Sequence, residues 1–112
     1  MSKVAQEKSF NLAIKIIKLS EEVKKKHGYE LASQVLRSGT SIGANLAEAE
    51  YAQSQKDLLS KLKIAQKEAS ETKYWLRLLK AVGYISDRDD IIKEVEIVQK
   101  ILYSAVKTLR SK

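Results

Sequence analysis

Arg37-Ser38-Gly39-Thr40-Ser41-Ile42-Gly43-Ala44-Asn45-Leu46-Ala47-Glu48 is the stretch on which the reading of this 112-residue chain turns. With Leu31 and Val35 before it, Ile42 and Leu46 recur on one side at helical spacing, yet the stretch holds two glycines. Each costs about 1 kcal/mol relative to alanine in a helix interior. Gly39 and Gly43 are four residues apart and share a face; with Ala32, Leu36 and Ala47 they form a stripe of mostly small residues. A neighbouring helix that comes close against this groove offsets the cost. Arg37, Ser41, Asn45 and Glu48 climb a second face, which is either a solvated edge or a hydrogen-bonded seam.

On the N-terminal side, Leu12, Ile16, Leu19 and Val23 make one apolar stripe and Phe10, Ala13, Ile14 and Ile17 make another, about 200° away at 100° per residue. A surface helix carries one such stripe; two predict a second buried side, against another subunit. Lys24-Lys25-Lys26-His27 suits the negative end of a helix dipole, and Gly28 fits a left-handed cap. On the C-terminal side, Ser54 with Asp57 reads as a helix start. Leu58, Leu62, Ala65, Ala69, Thr72, Leu76 and Leu79 form a long core stripe, and Ile64, Trp75, Leu78 and Val82 a second one, closed by Gly83. Ser86-Asp87-Arg88-Asp89-Asp90, a cap rich in acids, opens a last segment, with Ile91, Val95, Val98, Leu102, Val106 and Leu109 on one face.

These patterns predict helices over about 4–27, 29–52, 55–82 and 87–110. There is no proline and no period-two alternation. Short connections make sequential helices antiparallel, so the expected fold is all-α: one up-down-up-down antiparallel four-helix bundle, self-associating through helices one and three.

Two motifs carry a resemblance: Arg37-x-x-x-Ser41-Ile42-x-x-Asn45-Leu46-Ala47-Glu48, and Lys61-Leu62-Lys63-Ile64-Ala65-Gln66-Lys67-Glu68-Ala69-Ser70-Glu71-Thr72-Lys73-Tyr74-Trp75-Leu76. Over nearly its whole length the chain resembles the four-helix-bundle proteins encoded by intervening sequences of large-subunit ribosomal RNA genes. The resemblance implies a ring-like homopentamer. It also implies kinship with the accessory variability determinant of diversity-generating retroelements, a basic protein that associates with a reverse transcriptase and nucleic acid. By analogy, RNA, DNA or a protein such as a reverse transcriptase become expected partners.

Lys+Arg number 21 against 14 Asp+Glu, for a net charge of +7 and a pI near 9.6. That balance favours acidic partners, nucleic acid first, or else describes a lysine-rich solvated surface. The cations fall in clusters: Lys63 and Lys67 with Lys56; Lys73, Arg77 and Lys80; and Lys93, Lys100, Lys107 and Arg110 along the last segment. Binding through them would be sequence-independent and salt-sensitive. Tyr74, Tyr84 and Tyr103 could stack on bases or pack half-buried. Arg37, Ser41, Asn45 and Glu48 should meet Glu68 and Glu71 at mid-bundle as a register lock. The same three acids are the sole case for a metal, and His27 is the only histidine, so the Glu-x-x-His pairs of di-iron bundles are absent. No nucleophile elbow or phosphate loop is present. The expectation is a non-catalytic protein without cofactor or metal. It lacks cysteine, an apolar leader and a membrane span, which points to the cytoplasm and away from membranes. The rival expectation is a purely structural protein–protein assembly module.

Overall fold

The Ser54 hydroxyl accepts a hydrogen bond from the Asp57 amide at 3.0 Å, satisfying one of the donors that a helix start leaves open. The Asp57 carboxylate in turn accepts from the Gln53 amide at 3.1 Å. This cap starts the longest of four helices: α1 (Lys3–Lys25), α2 (Tyr29–Ala49), α3 (Gln55–Ala81) and α4 (Asp89–Arg110). The computed structural model describes residues 3–86 and 89–111, so the expected start of the last helix at 87 lies outside the described residues. Helix α2 stops at Ala49 and not at Ala52. There the Tyr51 amide turns to the Glu48 carbonyl and the Ala52 amide to the Ala49 carbonyl, three residues back, a tightening that ends a helix.

The helices form a ring in which each packs on the next and α4 closes against α1, while the diagonal pairs stay apart among the described residues. Residue pairs fix the directions. Gly43 lies against Ser9 and Gly39 against Ile16; Glu48 pairs with Lys61 and Arg37 with Glu71. Higher numbers on one helix meet lower numbers on the other, as antiparallel neighbours require. The body measures 47 × 21 × 18 Å. Leu12, Ile16 and Leu19 of α1, Val35, Ile42 and Leu46 of α2, Leu76 and Leu79 of α3, and Ile91, Val95 and Leu102 of α4 are fully buried in its core. Each large apolar side chain so buried contributes about 1.5–3 kcal/mol.

The two ends that meet beside Tyr84 correct one expectation. Helix α3 closes with the Tyr84 amide donating to the Leu79 carbonyl and the Gly83 amide to that of Lys80, and Gly83 takes the left-handed conformation, φ 79°. Helix α1 closes in the same way, Gly28 to Val23 and His27 to Lys24, but the left-handed residue is His27, φ 65°. Gly28 itself has φ −88°. It is glycine for lack of space: a Cβ there would lie 2.8 Å from Val23 Cγ1 and 2.9 Å from Tyr84 Cε2.

Candidate nucleic-acid interface

Helix α3 turns Leu62, Ala65, Ala69, Thr72, Leu76 and Leu79 to the core, which leaves Lys63, Lys67 and Arg77 exposed on its outer side. The acids of α3 point elsewhere. Glu68 and Glu71 take the Arg37 guanidinium of α2, and Asp57 caps its own helix. On α4 the seven-residue spacing of Lys93, Lys100 and Lys107 sets all three on an exposed row, and Arg110 is exposed at its end. Glu94 of α4 turns away to Lys15 of α1 at 2.6 Å. Among the described residues Lys63, Lys67, Arg77, Lys100 and Lys107 make no salt bridge to an acid.

Two of the expected cations differ from the rest. Lys73 is half-buried and bound to Glu96 of α4 at 2.9 Å, so its charge is already matched. Lys80 is exposed but engaged in a contact of its own. The Glu96 carboxyl is held below the usual carboxylate range, first by the Lys73 hydrogen bond and its charge, with help from Lys100 and Lys93. Between the two helices runs a groove of about 620 Å³ lined by Gln66, Glu96, Gln99, Lys100, Tyr103 and Ser104. Gln66, Gln99 and Ser104 escaped the sequence reading. They are ordinary polar residues until the Lys73–Glu96 pairing sets the register that brings them together. Tyr103 is 64% and Tyr74 57% exposed, whereas Tyr84 packs half-buried against the core.

Of the mid-bundle polar residues, the structure brings Arg37, Glu68 and Glu71 together. Arg37 reaches Glu68 at 3.2 Å and also bonds Glu71, whose carboxylate accepts from Trp75 Nε1 at 3.1 Å. The Arg37 side chain is 49% exposed, so this is a half-solvated clamp and not a buried pair. Ser41 donates to the Arg37 carbonyl and Asn45 to the Ser41 carbonyl, both within α2. Glu48 does not join the group; it pairs with Lys61 at 2.9 Å, which raises the Lys61 pKa, chiefly through that hydrogen bond. The buried link between α2 and α3 is Ser38 to Thr72, 2.9 Å apart at their hydroxyls. With each of these carboxylates bound to a cation, no group of acids and histidines suited to a metal forms among the described residues.

The glycines face α1. A Cβ on Gly39 would lie 2.8 Å from Ile16 Cγ2, and one on Gly43 3.3 Å from Ser9 Oγ. On the outside of α1 the second stripe is bare: Phe10 is 67%, Ile17 46% and Ile14 40% exposed. The second stripe of α3 is partly covered, with Trp75 packed against the core and Ile64 and Val82 exposed. Among the described residues no helix is long and apolar enough to cross a membrane.

Fold and surface thus define a class: a small helical bundle with one bare apolar flank and one cationic flank. The comparisons narrow it. The chain belongs to the 23S rRNA-intervening sequence protein family, whose model matches residues 2–104. It is similar to a crystal structure of a protein of unknown function from the S23 ribosomal protein family of Bacteroides thetaiotaomicron VPI-5482. The two are 42% identical over 92% of this chain and 98% of that one, with a TM-score of 0.89. No curated protein matches.

Proposed function

We propose that the chain is a non-catalytic scaffold that assembles with copies of itself and holds nucleic acid loosely through its lysine-rich faces. The observation that carries this reading is the division of the surface. Exposed cations that make no salt bridge among the described residues line the outer sides of α3 and α4, while Glu68 and Glu71 are turned to Arg37 of α2, Glu94 to Lys15 of α1, Asp57 to its own cap, and Glu96 is matched by Lys73 between α3 and α4. Surface charge arranged in this way neutralises phosphates without reading sequence. Assembly rests on Phe10, Ile14 and Ile17, an apolar row framed by Lys3 and Glu7 at one end and Glu21 and Lys24 at the other, the layout of an apolar centre with a polar rim. A homopentamer is the assembly that the family resemblance implies, and it would repeat the cationic rows around an axis. The absence of cysteine, and of a membrane-spanning helix among the described residues, suits a cytoplasmic setting.

Mobility shifts at two salt concentrations test the reading. Binding at about 50 mM salt that collapses by about 200 mM is expected; no shift at the lower concentration removes nucleic acid from the proposal. The apolar row favours a second reading, a purely structural assembly module whose partner is a protein, with a reverse transcriptase as the analogue. That reading stands if light scattering finds the assembly while mobility shifts find no nucleic acid.

A further inference from the structure

We infer that the groove between α3 and α4 is a track for a single nucleic-acid strand, with Tyr103 as its stacking platform. This rests on the nucleic-acid reading above and goes further, because the cations alone would serve a duplex equally well. The groove has three properties that a bare cationic face lacks. Its lining includes Lys100, and Lys67 follows the lining residue Gln66 on α3; both are exposed and make no salt bridge among the described residues. Its one carboxylate, Glu96, is matched by Lys73 at 2.9 Å, so the lining does not repel phosphate. Its wall presents Tyr103, 64% exposed, which has no hydrogen bond or ring contact among the described residues.

A tyrosine ring left uncovered in a basic groove offers an apolar face to whatever follows the charge. Bases of a single strand have free faces and stack on such rings whatever their sequence. Bases of a duplex are already stacked on each other, and the duplex rides on the lysine banks without covering the ring. Gln66 and Gln99 line the same groove, and their amides carry both donors and acceptors within reach of unpaired base edges. The groove lies on the flank of the bundle away from α1 and α2, so a strand there leaves the Phe10–Ile17 row open for self-assembly.

The test uses the whole chain and fluorescence anisotropy at about 50 mM salt. The probes are a labelled thymidylate strand of about 15 nucleotides, a uridylate strand of the same length and a duplex of that length. Both strands are expected to bind about 10-fold or more tightly than the duplex, and within a few-fold of each other because stacking on a ring does not involve the 2′-hydroxyl. Tyr103→Ala should weaken strand binding by about 10-fold, and Tyr103→Phe, which keeps the ring, by less than about twofold. Duplex affinity should be the same in all three proteins. Equal affinity of the wild type for strand and duplex, or strand binding untouched in Tyr103→Ala, overturns the track while leaving the broader nucleic-acid reading in place. Failure of the wild type to bind any probe overturns both. Melting and light scattering of Tyr103→Ala accompany the titrations; an altered assembly mass would mark this face as a contact between copies and also overturn the track.

Discussion

Along its α1 edge, α2 offers two glycines and meets Ile16 and Ser9 at close range. Along its α3 edge it offers Arg37, Ser38 and Glu48 and meets Glu68, Glu71, Thr72 and Lys61. One helix is therefore held on one side by shape and on the other by polar pairing. The two are not equally sensitive. Close packing has no slack, because an added atom must displace a buried neighbour. Polar pairs with a solvated side can exchange a lost partner for water. The shape edge sets how near the helices come, and the polar edge sets their register.

The sharpest way to break this contrast is on the shape edge. Gly39→Leu should destabilise the chain by about 3 kcal/mol or more in urea unfolding, since even its Cβ would sit 2.8 Å from buried Ile16 and overpacking is strongly unfavourable. Gly43→Ala is the control within the edge. Its Cβ would meet the Ser9 hydroxyl at 3.3 Å and the Ser9 backbone only at an ordinary 3.7 Å, and the better helix former returns about 1 kcal/mol. A melting temperature at or above wild type is expected, and a loss as large as that of Gly39→Leu would mean the groove is uniform.

The polar edge should respond less. Arg37→Met should cost about 1–2 kcal/mol by the same unfolding assay, between the value of an exposed pair and that of a buried one, because it leaves Glu68 without its cation and Glu71 with the Trp75 Nε1 donor alone. A loss as large as that of Gly39→Leu would erase the distinction between the edges. The smallest effect is electrostatic. The Lys61 pKa lies above its ordinary 10.5, held there by Glu48. A folded-state pKa raised in this direction stabilises the chain below the unfolded pKa, and the contribution is lost as pH rises through the folded one. Carbon-13 titration of the Lys61 side chain should show the raised midpoint return to the ordinary value in Glu48→Gln, and an unmoved midpoint would assign the shift to another cause.

His27 allows a stabilising counterpart at the end of α1. A left-handed non-glycine residue costs about 1 kcal/mol, so His27→Gly should gain a few tenths to about 1 kcal/mol after the added freedom of the unfolded chain is counted. A lower melting temperature would show that the contact of His27 with Tyr29 outweighs the strain.

Most of the fold could be read from residue spacing. The stripes on Leu12–Val23 and Leu62–Leu79 match the buried faces because a 3.6-residue period leaves little choice. What the spacing could not supply was register. Arg37 and Glu48 lie about three turns apart on one face, and both were expected to meet Glu68 and Glu71. Eleven residues separate them, about 16 Å along the axis, so Glu48 meets α3 near its start, at Lys61. The same gap explains Gln66 and Gln99, which become neighbours only once α3 and α4 are set side by side. The positions of His27 and Gly28 were exchanged in the sequence reading because the space at Gly28 is taken by Tyr84, a residue 56 positions further along. For the cations, sequence gave position along each helix but not which were already paired, as Lys73 is with Glu96.

The ring order of the helices bears on how the chain reaches its fold. Three of its four packed seams join consecutive helices, and the fourth, between α1 and α4, is the slimmest. Hairpins of neighbouring helices can form early because their loops are short, and chains dominated by such local contacts fold on microsecond-to-millisecond timescales. Only the last seam must bring distant parts of the sequence together. Lys15 and Glu94, 79 residues apart in the chain, mark where that circle is closed.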